Sequence, residues 1–198
     1  MKVEVLPIGL YAENIYVLHD NGHVLVIDPG RHAKRIAQCI GKDEVVDAVL
    51  LTHGHEDHVG AVDDFTDLYP CDVYIQKEDY ILIDPESPLK TGYMLPVYHS
   101  VKFYTENMQI GAFKIKVHHT PGHTEGSVCI QYRNLLFSGD TLFASDIGRT
   151  DLYSGDEKKM MESIRYLKTL SPDLHVLPGH GPDSTIGNER IMNPYMNM

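Results

Sequence analysis

Short apolar runs alternate with polar, glycine- and proline-bearing stretches along most of this chain. Residues 2–8, 14–19 and 23–28 have the length and β-branched content of strands. The last two are joined by Asp20-Asn21-Gly22, the residue types a tight hairpin turn demands. Residues 32–40 have helical spacing, with Gly41 as a stop. Residues 47–52 predict a strand, because Ala48-Val49-Leu50-Leu51 is unbroken apolar sequence, and residues 59–68 predict a helix. A short strand is expected at 72–76. Residues 84–100 hold Pro85, Pro88 and Pro96 with little periodicity, which predicts a loop overhanging a pocket.

The second half repeats this style. Residues 101–104, 113–118, 127–132 and 135–137 predict strands, with Asn134 in a tight turn. Residues 156–170 predict the clearest helix, since Met160, Ile164, Leu167 and Leu170 form one apolar stripe and Ser171-Pro172 follows. A last strand is expected at 175–177 and a closing helix at 185–192. Periodicity alone gives an α/β protein.

Composition narrows the class. The 198 residues suit one domain with a sizeable core, spanning 1–198. A net charge of −11 argues against nucleic acid as the partner. Cys39, Cys71 and Cys129 are few, odd in number and widely spaced, so they read as reduced, structural positions. The N-terminal Met1-Lys2-Val3-Glu4-Val5 has no signal-peptide stretch, and no run approaches a membrane span; a cytoplasmic location without membrane attachment is expected. The sequence carries no signal for an oligomeric state.

The chemistry lies in His53-Gly54-His55-Glu56-Asp57-His58, which packs four potential metal ligands into six residues. Strand alternation would aim His53 and His55 to one side, leaving Asp57 and His58 to face a neighbouring ion. Thr120-Pro121-Gly122-His123-Thr124, Ser138-Gly139-Asp140-Thr141 and Pro178-Gly179-His180-Gly181 each present one further ligand-type residue after an apolar run. Such ligands form one pocket only if their strands end on the same edge of a sheet. His118 and His119 read as surface or supporting groups, and His19, His23, His32, His99 and His175 as ordinary polar positions. Asp63, Asp64 and Asp67 read as a solvated helix face.

This ordered ligand set resembles the metallo-β-lactamase superfamily over essentially the whole chain. The resemblance implies a four-layer αββα sandwich. It also implies that His53, His55 and His123 hold a first metal, that Asp57, His58 and His180 hold a second, and that Asp140 bridges both. Asp28 would support the metal loop from behind. Two divalent ions are expected, with zinc favoured by five histidines and two carboxylates, and iron or manganese accepting similar sets. Two ions, Asp57, Asp140 and one bridging hydroxide sum to a site near +1, which would acidify bound water and attract an anion.

Gly139-Asp140-Thr141-Leu142-Phe143 and Gly148-Arg149-Thr150-Asp151 are similar to segments of the glyoxalase II and related thioesterase-like branches. The implied activity is hydrolysis of a small anionic thioester by a hydroxide held between two metals. A thiolate leaves without needing a proton. Asp57 and Asp140 would be the catalytic carboxylates, Asp57 relaying a proton besides ligating. Arg149 matches the basic residue that holds glutathione in that branch. Asp151 and Pro182 stand where its aromatic contacts would be, so Tyr153, with Tyr93 or Tyr195, is the candidate to compensate. The separate C-terminal helical domain of the longer enzymes is not expected here. The alternatives are a mononuclear iron persulfide dioxygenase of the same superfamily and, from a different class, a non-catalytic metal-binding module. A β-lactamase, an RNase Z-type nuclease and a flavodiiron-like electron carrier fit this pattern less well.

Overall fold

The computed structural model describes residues 1–8, 12–89 and 91–198; Lys90, inside the expected 84–100 loop, lies outside them. Strands β1 (Lys2–Ile8), β2 (Glu13–Asp20) and β3 (His23–Ile27) form an antiparallel meander. Asn21 and Gly22 turn between β2 and β3 with φ of 51° and 80°, and Asp20 pairs directly with His23. Two positive φ values in a two-residue loop match the right-handed twist of the strands it joins. The chain then crosses over through α1 (Ala33–Ala37) to β4 (Val45–Leu50), and through α2 (Glu56–Val59) and α3 (Val62–Leu68) to β5 (Asp72–Ile75). A 3-10 turn at Lys77–Asp79 and α4 (Tyr80–Ile83) lead towards β6 (Val101–Phe103). From β3 to β6 the pairing is parallel, and the sheet order is β1-β2-β3-β4-β5-β6.

The second sheet contains β7 (Asn107–Ile110), β8 (Phe113–His119), β9 (Val128–Tyr132) and β10 (Leu135–Gly139) as antiparallel neighbours. A small hairpin of β11 (Leu142–Phe143) and β12 (Asp146–Ile147) follows. Helix α5 (Glu157–Leu167) then returns the chain to β13 (His175–Pro178), parallel to β10, before β14 (Ser184–Thr185) and α6 (Ile186–Met192). Asp156 caps α5 by accepting from Lys159 N, and Thr185 caps α6 by accepting from Asn188 N.

Three apolar clusters define four layers. Val24 and Val26 of β3 pack outward with Ile36 and Phe65 of the first helices, whereas Leu25 and Ile27 point inward to meet Phe113, Ile130 and Phe137 of the second sheet. Leu136 and Val176 face the other way, onto Met160, Ile164 and Leu167 of α5. Strands buried on both faces read as continuous apolar runs, which is why the sequence shows little alternation there. The arrangement is the expected αββα sandwich. Truncating a side chain such as Phe137, buried between the sheets, would cost about 3–5 kcal/mol.

Several expectations change in detail. The helix expected at 59–68 is broken at Gly60 and Ala61 into α2 and α3, and α1 and α5 are shorter than predicted. Helix α4 and strand β7 were not expected: α4 is too short to show a period, and β7 is a largely exposed edge strand. Asp63 is not part of a solvated face, since it accepts hydrogen bonds from the backbone N–H groups of Tyr98 and His99. It therefore fastens one end of the proline-bearing loop.

Candidate metal centre

Strand β4 stops at Leu50, so His53 and His55 sit in the turn beyond it and not on the strand. Strand alternation does not align them; the turn does. Asp28, at φ 51° just past β3, receives Thr52 N at 2.7 Å and Thr52 Oγ1 at 2.6 Å, with His58 Nδ1 3.0 Å away. That carboxylate ties the start of the turn to α2, where Asp57 and His58 lie. His123 is carried by the loop between β8 and β9, with Nδ1 2.8 Å from the Arg149 carbonyl. Asp140 and His180 follow β10 and β13, which are adjacent and parallel, so both emerge at one edge. The first sheet reaches that edge through Asn14 N, which donates to Gly179 O at 2.7 Å, and Tyr16 OH, which donates to Pro178 O at 2.6 Å.

The seven side chains converge in three overlapping sets. Ligand-type atoms of His53, His55 and His123 lie within 4.8 Å of one another, as do those of His53, His58 and Asp140, and those of Asp57, His58 and His180. Asp140 stands between: Oδ1 is 3.5 Å from His58 Nε2, while Oδ2 is 3.6 Å from His123 Nε2 and 3.5 Å from His180 Nε2. His180 Nε2 is also 3.5 Å from Asp57 Oδ2. His53 Nε2, His58 Nε2 and Asp140 Oδ1 are buried with no hydrogen-bond partner. Each such atom costs about 1–3 kcal/mol unless something else satisfies it. Three of them aimed at one another fit a cation, and this donor set suits a divalent metal.

Protonation states point the same way. Burial first, then the neighbouring imidazoles, push the pKa of His53 well below its ordinary value and that of His55 down to about 3. Burial opposes ionisation of Asp57, yet His180 and His58 outweigh it and hold the carboxyl below the usual range. His58 is the exception, because Asp140 and Asp28 overcome burial and raise it. Neutral imidazoles and ionised carboxylates are what metal binding requires. Asp28, in contact with His58, would bring one more negative charge beside the centre, so the net charge expected there falls from +1 towards zero.

A cleft of about 390 Å³ opens over this cluster, and His55, Asp57, His123, Asp140 and His180 form its floor. Tyr93, Phe143, Leu152, Gly148 and Arg149 form its walls. Tyr93 comes from the 84–100 loop and is anchored by its carbonyl, which accepts from Glu56 N at 3.0 Å. Of the three tyrosines considered from sequence, Tyr93 lines the cleft. Tyr153 is exposed and Tyr195 packs against the α5 cluster. Arg149 reaches the rim with its guanidinium engaged by Asp151, Nε to Oδ1 at 2.7 Å and Nη2 to Oδ2 at 2.8 Å.

Other histidines are occupied elsewhere: His118 contacts Tyr166 and Gln131, and His119 the Glu125 carbonyl. His19, His23 and His175 pair with Glu44, Asp47 and Asp183. Sequence reasoning missed Glu13 and Asp79, acidic side chains buried beside the centre. Neither belongs to a recognisable spacing; the charged run Lys77-Glu78-Asp79 looks like surface.

A profile described as the metallo-beta-lactamase superfamily matches residues 8–180. A hydroxyacylglutathione hydrolase from Haemophilus influenzae is 32% identical, covering 100% of this chain and 99% of that one. Among solved structures, the B3 metallo-β-lactamase BLEG-1 is 36% identical with a TM-score of 0.89, covering all of both chains. TTHA1623, crystallised in a di-iron-bound form, is 34% identical with a TM-score of 0.85, covering 98% of this chain and all of that one. A converging His/Asp cluster at the edge of an αββα sandwich, a profile over most of the sequence and full-length relatives agree: the chain belongs to the metallo-β-lactamase superfamily, a superfamily of metallo-hydrolases.

Proposed function

We propose that this protein hydrolyses small thioesters at a binuclear metal centre. His53, His55 and His123 would hold one ion, Asp57, His58 and His180 the other, with Asp140 shared. The observation that carries the metal centre is the trio of buried atoms without hydrogen-bond partners, His53 Nε2, His58 Nε2 and Asp140 Oδ1. Two divalent ions there would supply a hydroxide nucleophile near neutral pH and polarise a carbonyl. The chain's own residues do the rest. Asp140 would be shared between the two sets, and Asp57, held ionised by His180 and His58 at the cleft floor, would serve as an anionic ligand.

The cleft walls suit a thioester. Among the described residues, Tyr93 and Arg149 are the titratable groups that line the cleft outside the proposed ligands, and Arg149 stays charged. An alkoxide or amine would need a proton donor on departure; a thiolate does not. Tyr93, Phe143 and Leu152 offer an apolar wall for an acyl or thiol chain, and Arg149 a fork for a carboxylate. The named activity of the Haemophilus relative supports a glutathione-type thioester.

A second reading, β-lactam hydrolysis, is favoured by the likeness to BLEG-1 and is less remote than the sequence suggests. The di-iron neighbour keeps iron in play as the resident metal. The deciding experiment loads the purified chain with zinc, iron or manganese and compares kcat/KM on an α-hydroxyacyl glutathione thioester, a neutral acyl thioester and a cephalosporin. Oxygen uptake with glutathione persulfide is followed in parallel. The thioesters are expected to lead by at least tenfold with no oxygen consumed. A faster cephalosporin, or oxygen uptake with iron, would replace the proposal.

A further inference from the structure

Asp79 ends the 3-10 turn before α4 and is completely buried. Its Oδ2 accepts from Gly54 N at 2.9 Å and from Thr124 Oγ1 at 2.7 Å, and its Oδ1 accepts from Gly126 N at 2.6 Å. Gly54 lies between His53 and His55, and Thr124 follows His123. One carboxylate therefore joins the two loops that carry these three histidines, and neither loop is held there by a strand ladder. The approach is close enough to dictate sequence: a Cβ on Gly126 would lie 2.6 Å from the Asp79 carboxylate.

The geometry has a counterpart across the turn. Asp28 holds Thr52 N and Asp79 holds Gly54 N, so the backbone is fixed on both sides of His53. Asp28 also reaches His58, on the side of the second set, whereas the Asp79 carboxylate, among the described residues, bonds to the loops of the first. Both oxygens of Asp79 accept from backbone N–H groups. A carboxamide has one accepting oxygen, and its NH₂ would face an N–H, leaving a buried donor unsatisfied. Burial pushes the carboxyl's pKa up, and the three donors oppose that by favouring the anion.

We propose that Asp79 is the positioning residue of the first metal site, setting the mutual placement of His53, His55 and His123 through the backbone of both loops. The inference rests on the ligand assignment proposed above, but it concerns metal geometry and does not depend on the substrate. Supporting groups of metal ligands are typically worth about 10–100-fold in affinity.

The test titrates metal-free protein with cobalt(II), following binding by calorimetry and the visible d–d bands. Asp79→Asn is compared with Thr124→Val, which removes one of the three bonds, and with Asp63→Asn, which loosens a loop without touching the ligand-bearing turns. Asp79→Asn is expected to weaken one of two cobalt sites at least tenfold and shift its d–d bands, with Thr124→Val changing both in the same direction but less. Asp63→Asn should lower thermal stability and leave cobalt binding unchanged. Wild-type affinity and bands in Asp79→Asn, or equal losses in Asp63→Asn, would overturn the assignment. If Asp79→Asn does not fold, unchanged cobalt binding in Thr124→Val overturns it. Failure of the wild-type chain to bind two cobalt ions would instead count against the binuclear proposal itself.

Discussion

Asp28 Oδ2 lies 3.0 Å from Nδ1 of His58, and the same carboxylate receives both the backbone N–H and the hydroxyl of Thr52. The contact fixes the imidazole's orientation, so that Nε2 is directed at Asp140. Replacing Asp28 with Asn leaves a single accepting oxygen for three donors. Asp28→Asn should therefore weaken metal at the His58 set by about 10–100-fold. Zinc affinity measured against a competing chelator checks this; wild-type affinity would show that Asp28 serves only the turn.

Asp140 faces His58 with one oxygen and His123 and His180 with the other. Asp140→Asn keeps the shape and removes the shared charge. One of the two ions should be lost on purification, and turnover should collapse. Elemental analysis decides, and retention of both ions with normal turnover would remove Asp140 from its bridging role.

Arg149 is already engaged by Asp151 in a two-pronged pair at the cleft rim. Both groups are exposed, and exposed pairs are weak, so an incoming carboxylate can exchange with Asp151. Arg149→Met should raise KM for anionic thioesters by about tenfold and leave kcat and metal content unchanged, because lost uniform binding appears in KM. Equal effects on neutral and anionic thioesters would mean that the pair holds the loop.

Burial raises the Cys71 thiol to about 11 and the Cys129 thiol to about 12. A raised thiol pKa keeps the proton on in the folded chain while the unfolded chain releases it above about 8.5. Stability from these groups is thus complete below that value and declines as pH rises through the folded values. Urea midpoints should fall between pH 8 and 10, and a Cys71→Ala/Cys129→Ala variant should flatten that slope. At pH 8 the native chain should resist iodoacetamide at both positions and react once denatured. Rapid native alkylation of Cys129 would contradict its burial.

The ligand-bearing segments were legible because their chemistry is local. His53, His55, Asp57 and His58 fall within six residues, and Gly-His or Gly-Asp pairs after apolar runs mark the other three. The β2–β3 hairpin and α5 were legible for the same reason: Asn21-Gly22 and the Met160–Ile164–Leu167 stripe are complete within a few residues. Asp79 was not legible, because its three donors lie 25, 45 and 47 residues away.

Residue types and spacing alone therefore determined the composition of the centre and the class of fold, since metal donors and hydrophobic period are written along the chain. Tertiary structure decided which donors share an ion-sized space, through the parallel pairing of β10 with β13 that brings Asp140 beside His180. It also decided that Tyr93 lines the cleft and Tyr153 does not, and that Arg149 meets Asp151 at the rim. Those outcomes depend on burial and on contacts between distant segments, which arise only when the two sheets close on one another.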